Sequence, residues 1–284
     1  MSIDSFSAML PNIAIGLVLA ALMAIVSYKL RALKMSGAVG MTIVGTVAFG
    51  IGGFPFALPL IIFFISSSLL STIKSFHKEN ALMEADKTGP RDIRQVLANG
   101  GAASLIVIIH FMTGDSFWYP VYLAAVAEAA ADTWATEIGM LSKHKPVSII
   151  GFKETTPGRS GGITLIGTAS SLTGAFLIVV CGVICMLFSN DIPLFDWRLW
   201  GCTALAGWIG ALMDSVLGAT IQAQYRCSVC GKITEKKFHC SRKTVLQKGL
   251  FFIDNDFVNF LSTVFSSLLM LVIIEIFFIY GLQK

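Results

Sequence analysis

Three carboxylates, Glu128, Asp132 and Glu137, fall within the otherwise apolar stretch AEAAADTWATEIG at 127–139. A charge at the centre of a membrane helix costs roughly 2.5–3.5 kcal/mol on insertion scales. Such groups therefore face a bundle interior, pair with one another or bind a ligand. Glu128 and Asp132 are four residues apart and share one helix face. The alanines around them (Ala129, Ala130, Ala131, Ala135) leave a surface that a second helix can approach closely. The chemistry available to such a set is binding of a divalent cation or of protons.

Further polar groups recur at helix ends. Asp214 lies in GWIGALMDSVLGA, and DNDFVN at 254–259 carries Asp254, Asp256 and Asn259. Asp254 or Asp256 could also serve as an ordinary N-cap. GPRDIRQVLANGG at 89–101 places Arg91, Arg94, Gln95 and Asn99 at helical spacing. TTPGRSGG at 155–162 supplies Arg159, Ser160, Gly161 and Gly162 just ahead of an apolar helix. A Gly-rich turn before a helix N-terminus can cradle phosphate on backbone N–H groups, although this is not a Walker A loop and also reads as a turn with a cap. Magnesium held by one or two carboxylates, its shell completed by substrate phosphates, fits this inventory. Phosphoryl transfer needs little beyond such metal ions, phosphate-binding cations and positioning. On this reading Asp132, Asp214 and Asp256 are candidate magnesium ligands, with Glu128 and Glu137 as supporting catalytic groups. Arg159, Ser160, Gly161 and Gly162 are candidate phosphate-binding residues, and Arg91, Arg94, Asn99 and Asn259 candidate substrate-binding residues.

The elements that must position these residues are membrane helices. Of 284 residues 55% are hydrophobic and only 13% charged, with a mean hydropathy of +0.76; a soluble domain carries about a quarter charged residues. At roughly 20 residues per crossing, eight spans are expected, near 10–28, 37–52, 54–72, 94–113, 118–140, 161–188, 199–223 and 257–281. The second is Gly-rich and reads as close-packed or interrupted. The N-terminus lacks the basic start and cleavage site of a secretory signal, so its apolar run reads as the first span. Apart from Arg198 and Lys284, every Lys and Arg falls in the loops after spans one, three, five and seven. The positive-inside rule puts those loops in the cytoplasm and both termini on the other side. That asymmetry accounts for the net charge of +4 without nucleic acid as a partner. The fold class is thus an all-α polytopic bundle, a single domain over 1–284, with a Cys-rich cytoplasmic loop at 224–256.

That loop contains CSVCGKITEKKFHC. Cys227, Cys230, His239 and Cys240 are four soft ligands able to hold a structural zinc ion, although the adjacency of His239 and Cys240 is awkward for one tetrahedral site. A reduced, unliganded knuckle is the other reading; a disulfide is disfavoured in the cytoplasm.

EAAADTWATEIG, PGRSGGIT, GALMDSVLGA, GPRDIRQVLANGG and DNDFVN together resemble the transmembrane protein 19 family, in the same order and over nearly the whole chain. That family includes the plant phytyl-phosphate kinase. The resemblance implies a magnesium-dependent kinase that converts an isoprenyl monophosphate lipid to its diphosphate with a nucleoside triphosphate, CTP or ATP. It also implies distant kinship with polyprenol kinases and CDP-diacylglycerol synthases. Two other classes use similar residues: an ion-coupled transporter or scramblase, whose site would sit near the midplane between inverted repeats, and a lipid-phosphate cytidylyltransferase. The chain shows no clear internal repeat.

Overall fold

The computed structural model describes residues 3–75, 77–79, 89–188 and 196–279. The basic residues Lys87 and Lys284, and the last two residues of the expected eighth span, lie outside them.

Eight long helices are present among the described residues: α1 (Ile3–Lys29), α2 (Met35–Thr46, running on through a wide turn at Val47–Ile51), α3 (Phe54–Thr72), α4 (Ile93–Thr113), α5 (Trp118–Gly139), α6 (Leu165–Leu187), α7 (Trp197–Thr220) and α8 (Asn255–Ile279). They follow the expected spans, and the second is interrupted as its glycines foretold. Six of them are long and apolar enough to cross a membrane on their own; α2 and α5 are not among these. The reason differs for each. The α2 segment is short, at 17 residues through Ile51, whereas α5 carries the three carboxylates. Leu17, Val18, Leu22 and Val26 of α1 are exposed, as an apolar surface in lipid should be.

The core is α5. Every residue from Tyr119 to Ala131 is buried, enclosed by α3, α4, α6, α7 and α8. Small residues make this possible: a Cβ on Gly207 would lie 2.6 Å from that of Ala127, and one on Gly210 would strike the Glu128 side chain. Pro59 within α3 has no N–H to offer the carbonyl four residues earlier, and the Tyr119 hydroxyl donates to that Pro55 oxygen at 3.1 Å. The Tyr122 hydroxyl donates to the neighbouring Phe56 carbonyl. A defect in one helix is thus repaired by its neighbour.

One correction concerns the expected span at 161–188. Its first residues form a turn and a short strand rather than helix. Gly162–Ile163 (β2) pairs antiparallel with Val147–Ser148 (β1), and α6 begins at Leu165, capped by the Thr164 hydroxyl accepting from Gly167 N–H. The segment after α7 also folds into strands: Gln224–Arg226 (β3), Ile233–Thr234 (β4), Phe238–His239 (β5), Arg242–Lys243 (β6) and Val245–Lys248 (β7). Strands β4, β3 and β7 form one sheet and β5–β6 a hairpin. This strap is anchored to its flanks: Lys248 Nζ donates to the Ala219 carbonyl at 2.6 Å, and Ala223 N–H to Ile253 O at 2.8 Å.

Candidate functional site

A cavity of about 1200 Å³ opens at the end of the bundle where the basic loops lie. Its polar wall gathers residues from almost the whole chain: Arg91, Asn99, Asp132, Glu137, the 157–163 loop, Asp214 and Asn259. On α5 the lining begins at Asp132 and continues toward Gly139. The solidly packed half of the helix, Tyr119–Ala131, contributes nothing to it.

Asp132 and Asp214 come from the adjacent helices α5 and α7. Asp214 accepts from Ser262 Oγ at 3.3 Å. The Asn259 carboxamide, turned to satisfy its neighbours, donates to Asp214 at 3.2 Å; its other end lies 3.2 Å from Asn99 Oδ1. That amide orientation is an assignment from the hydrogen-bond pattern. Neither aspartate forms an ion pair with any described residue. Two carboxylates facing a cavity without a partner cation are a fitting donor set for magnesium.

Arg91 is fixed from both sides. Its N–H donates to Ala32 O at 3.0 Å and its carbonyl accepts from Lys34 N–H at 2.9 Å, stitching it to the α1–α2 turn. Its guanidinium donates to Ser68 Oγ at 3.1 Å and lies over the Phe64 ring. Burial lowers its pKa from the ordinary value, with the Glu137 carboxylate acting the other way; a guanidinium remains charged regardless.

The Gly-rich loop is shaped by its contacts. Gly161 adopts φ +78° and backs onto Ala219 so closely that a Cβ would collide with it. Arg159 donates to Gln224 Oε1 at 2.8 Å. The N–H of Ser160 donates to Glu235 Oε1 at 3.1 Å, and its hydroxyl donates to the same oxygen. Gly162 N–H donates to Arg159 O at 3.1 Å. The expected open cradle of backbone donors is therefore already engaged within the protein at Ser160 and Gly162, which leaves the Arg159 side chain as the loop's principal cation.

Several expected site residues are placed elsewhere. Glu128 is 1% exposed, off the cavity, with one carboxylate oxygen lacking a hydrogen-bond partner. Glu137 lines the cavity but is held by Lys78 Nζ at 2.6 Å and by the Ser71 hydroxyl at 2.5 Å. Arg94 and Asp256 do not line it: Arg94 pairs with Asp254 at 2.6 Å and approaches Asp256 at 3.7 Å. Asp254 also caps α8 through Phe257 N–H at 3.1 Å. Asp256 is consequently not brought together with Asp132 and Asp214. Asp132, Asp214 and Asp256 form no cluster that could share one ion; among the described residues the only such group is Cys227, Cys230, His239 and Cys240. In that group backbone N–H donation from Cys230 is the leading influence bringing the Cys227 thiol down to about 6. The Cys240 thiol is raised to about 11, first by its hydrogen bond with Cys230.

Sequence reasoning missed Lys78, Gln224 and Glu235. Lys78 counted only toward loop charge, yet it is 3% exposed and also donates to the Leu70 carbonyl at 2.9 Å. No local pattern marks any of the three.

A bundle of apolar helices closed around a carboxylate-bearing central helix defines an integral membrane protein. The chain belongs to the family described as Integral membrane protein DUF92, which it matches over residues 18–267; the family resemblance read from the motifs is borne out. It is 33% identical over 272 residues to Protein PGR of Arabidopsis thaliana, covering 89% of this chain and 93% of that one. It is 30% identical over 222 residues to an uncharacterized membrane protein of Methanocaldococcus jannaschii, covering 78% of this chain and 88% of its relative. No solved structure matches.

Proposed function

We propose that this protein is a magnesium-dependent phosphotransferase that converts an isoprenyl monophosphate to the diphosphate with a nucleoside triphosphate. The observation that supports the reading is that one cavity is lined both by charged groups and by apolar helix surface. Leu22 and Val26 of α1 and Ile65 and Leu69 of α3 line it and are also exposed on the bundle surface. An amphiphile with a charged head and a hydrocarbon tail matches that division, its tail in contact with lipid and its phosphate beside Arg91.

Asp132 and Asp214 would hold magnesium, which when bound neutralises charge on the transferring phosphoryl group. Arg159 orients the nucleotide phosphates and Arg91 the lipid phosphate. The acceptor is already an anionic oxygen nucleophile, so no strong base is required. The Lys78–Glu137 pair accordingly keeps a structural place in the wall. With basic loops on the cytoplasmic side, the cavity draws nucleotide from the cytoplasm. The packed half of α5 beneath it disfavours a transport path.

The test uses purified protein in lipid nanodiscs with magnesium, terminally labelled ATP or CTP, and phytyl or geranylgeranyl monophosphate. Labelled prenyl diphosphate is the expected product. Absence of transfer from either nucleotide to any prenyl monophosphate would sink the reading.

A further inference from the structure

The Cys-rich strap lies outside the cavity's polar wall except for Glu235, yet it is tied to the phosphate loop at two points. Gln224 on β3 accepts from Arg159, and Glu235 after β4 accepts from Ser160. We propose that Cys227, Cys230, His239 and Cys240 hold a zinc ion, and that this ion folds the strap so that Glu235 and Gln224 position the Arg159–Ser160 loop. The role of the loop in phosphate binding rests on the function proposed above; the metal site does not.

The geometry is that of a ligand set. The four ligand atoms all lie within 4.8 Å of one another. With Zn–S about 2.3 Å and Zn–N about 2.0–2.1 Å, a tetrahedral site separates nitrogen from sulfur by about 3.6 Å. His239 Nδ1 lies 3.5 Å from Cys230 Sγ and 3.3 Å from Cys240 Sγ. The first knuckle turns at Gly231, φ +73°, with Gly231 N–H donating to Cys227 O at 3.0 Å. Val229 N–H donates to Cys227 Sγ at 3.4 Å, which stabilises a thiolate.

The second half answers the difficulty of adjacent ligands. Cys240 and Ser241 both take positive φ, 50° and 58°, as the two central residues of the β5–β6 hairpin. Such turns prefer Gly and Asn, and a cysteine there is unfavoured unless something requires it. The reversal is what brings the His239 ring and the following thiol to a common point. Three thiolates and one imidazole suit zinc rather than magnesium or calcium. The five basic residues at 232, 236, 237, 242 and 243 offset the negative charge of the assembled site.

The test reads metal and loop order separately from phosphotransfer. Protein purified in detergent should contain one zinc per chain, and cobalt exchanged into it should give thiolate charge-transfer and tetrahedral d–d absorption. Cys230→Ser and Cys240→Ser should lose the metal, whereas Cys202→Ser keeps it. Limited trypsin digestion, followed by mass spectrometry, should cut the zinc-loaded protein slowly. Chelation should speed cutting both within 236–243 and after Arg159, by tenfold or more. The double variant Glu235→Ala, Gln224→Ala should keep its zinc and still be cut faster after Arg159. Wild-type protein that neither carries zinc nor binds cobalt stoichiometrically would overturn the site. Faster cutting in the strap with none after Arg159 would overturn the coupling. Neither result depends on whether a prenyl phosphate is phosphorylated.

Discussion

Arg91 and Arg94 stand three residues apart at the head of α4, yet they belong to two different electrostatic settings. Arg94 reaches Asp254 and Asp256, forming a strut between α4 and α8. Arg91 lines the cavity with Asp132 and Asp214, neither of which has an ion-pair partner among the described residues. In the strut the one guanidinium is already engaged by two carboxylates, so it has little to offer an anionic ligand. The cavity set brings a guanidinium and two carboxylates to one lining without an ion pair between them among the described residues. Within a single helix α5 repeats the lesson: Glu128 is sealed in packing, Glu137 is tied to Lys78, and Asp132 is left facing the cavity.

That contrast can be broken most sharply at Asp132. Asp132→Asn keeps shape and removes charge, and should lower phosphotransfer by roughly 10²–10³-fold or more, measured as labelled diphosphate formed by protein of unchanged melting temperature. Wild-type turnover would remove Asp132 from the site. Next comes the neutralised pair in the wall. Lys78→Met leaves the partly buried Glu137 without its cation. Breaking a fully buried pair costs about 3–5 kcal/mol, which is the upper bound here. Thermal unfolding in detergent should therefore show a clear drop, and Glu137→Gln in the same background should restore part of it.

Arg159→Ala should act on binding instead of folding. Loss of a charge-assisted contact worth roughly 1.5–3 kcal/mol predicts a rise of about 10–100-fold in the nucleotide KM with an unchanged melt. An equal fall in kcat at constant KM would assign Arg159 to the transition state alone. The smallest effect belongs to the strut. Arg94 is largely exposed, so Arg94→Ala should cost about 0.2–1 kcal/mol and leave activity within roughly twofold. Strong inactivation there would erase the distinction between the two arginines.

Much of this organisation is legible in one dimension. Apolar runs marked eight helices near their observed bounds, although only six of these are long and apolar enough to cross a membrane on their own. Loop basicity picked out the end at which the cavity opens. Of the polar residues at helix ends, Arg91, Asn99, Asp132, Asp214 and Asn259 meet at one cavity, since a membrane interior tolerates such groups only where they meet one another. The start of α6 lies four residues later than expected, because residues 161–164 carry no charge and run directly into the apolar Leu165 and Ile166. The β1–β2 pairing across the 140–164 loop depends on a partner strand that composition does not reveal.

The sequence by itself determined the class of molecule, the helices and the end of the bundle at which the cavity opens. The tertiary structure alone decided which charges are occupied and which are available. Lys78 with Glu137, Arg94 with Asp254, Arg159 with Gln224 and Ser160 with Glu235 are pairs 59 to 160 residues apart. Helical periodicity fixes the face on which a side chain stands, but its partner across the bundle is set by how closely the helices approach. At Gly207 and Gly210 that approach is governed by the absence of a side chain.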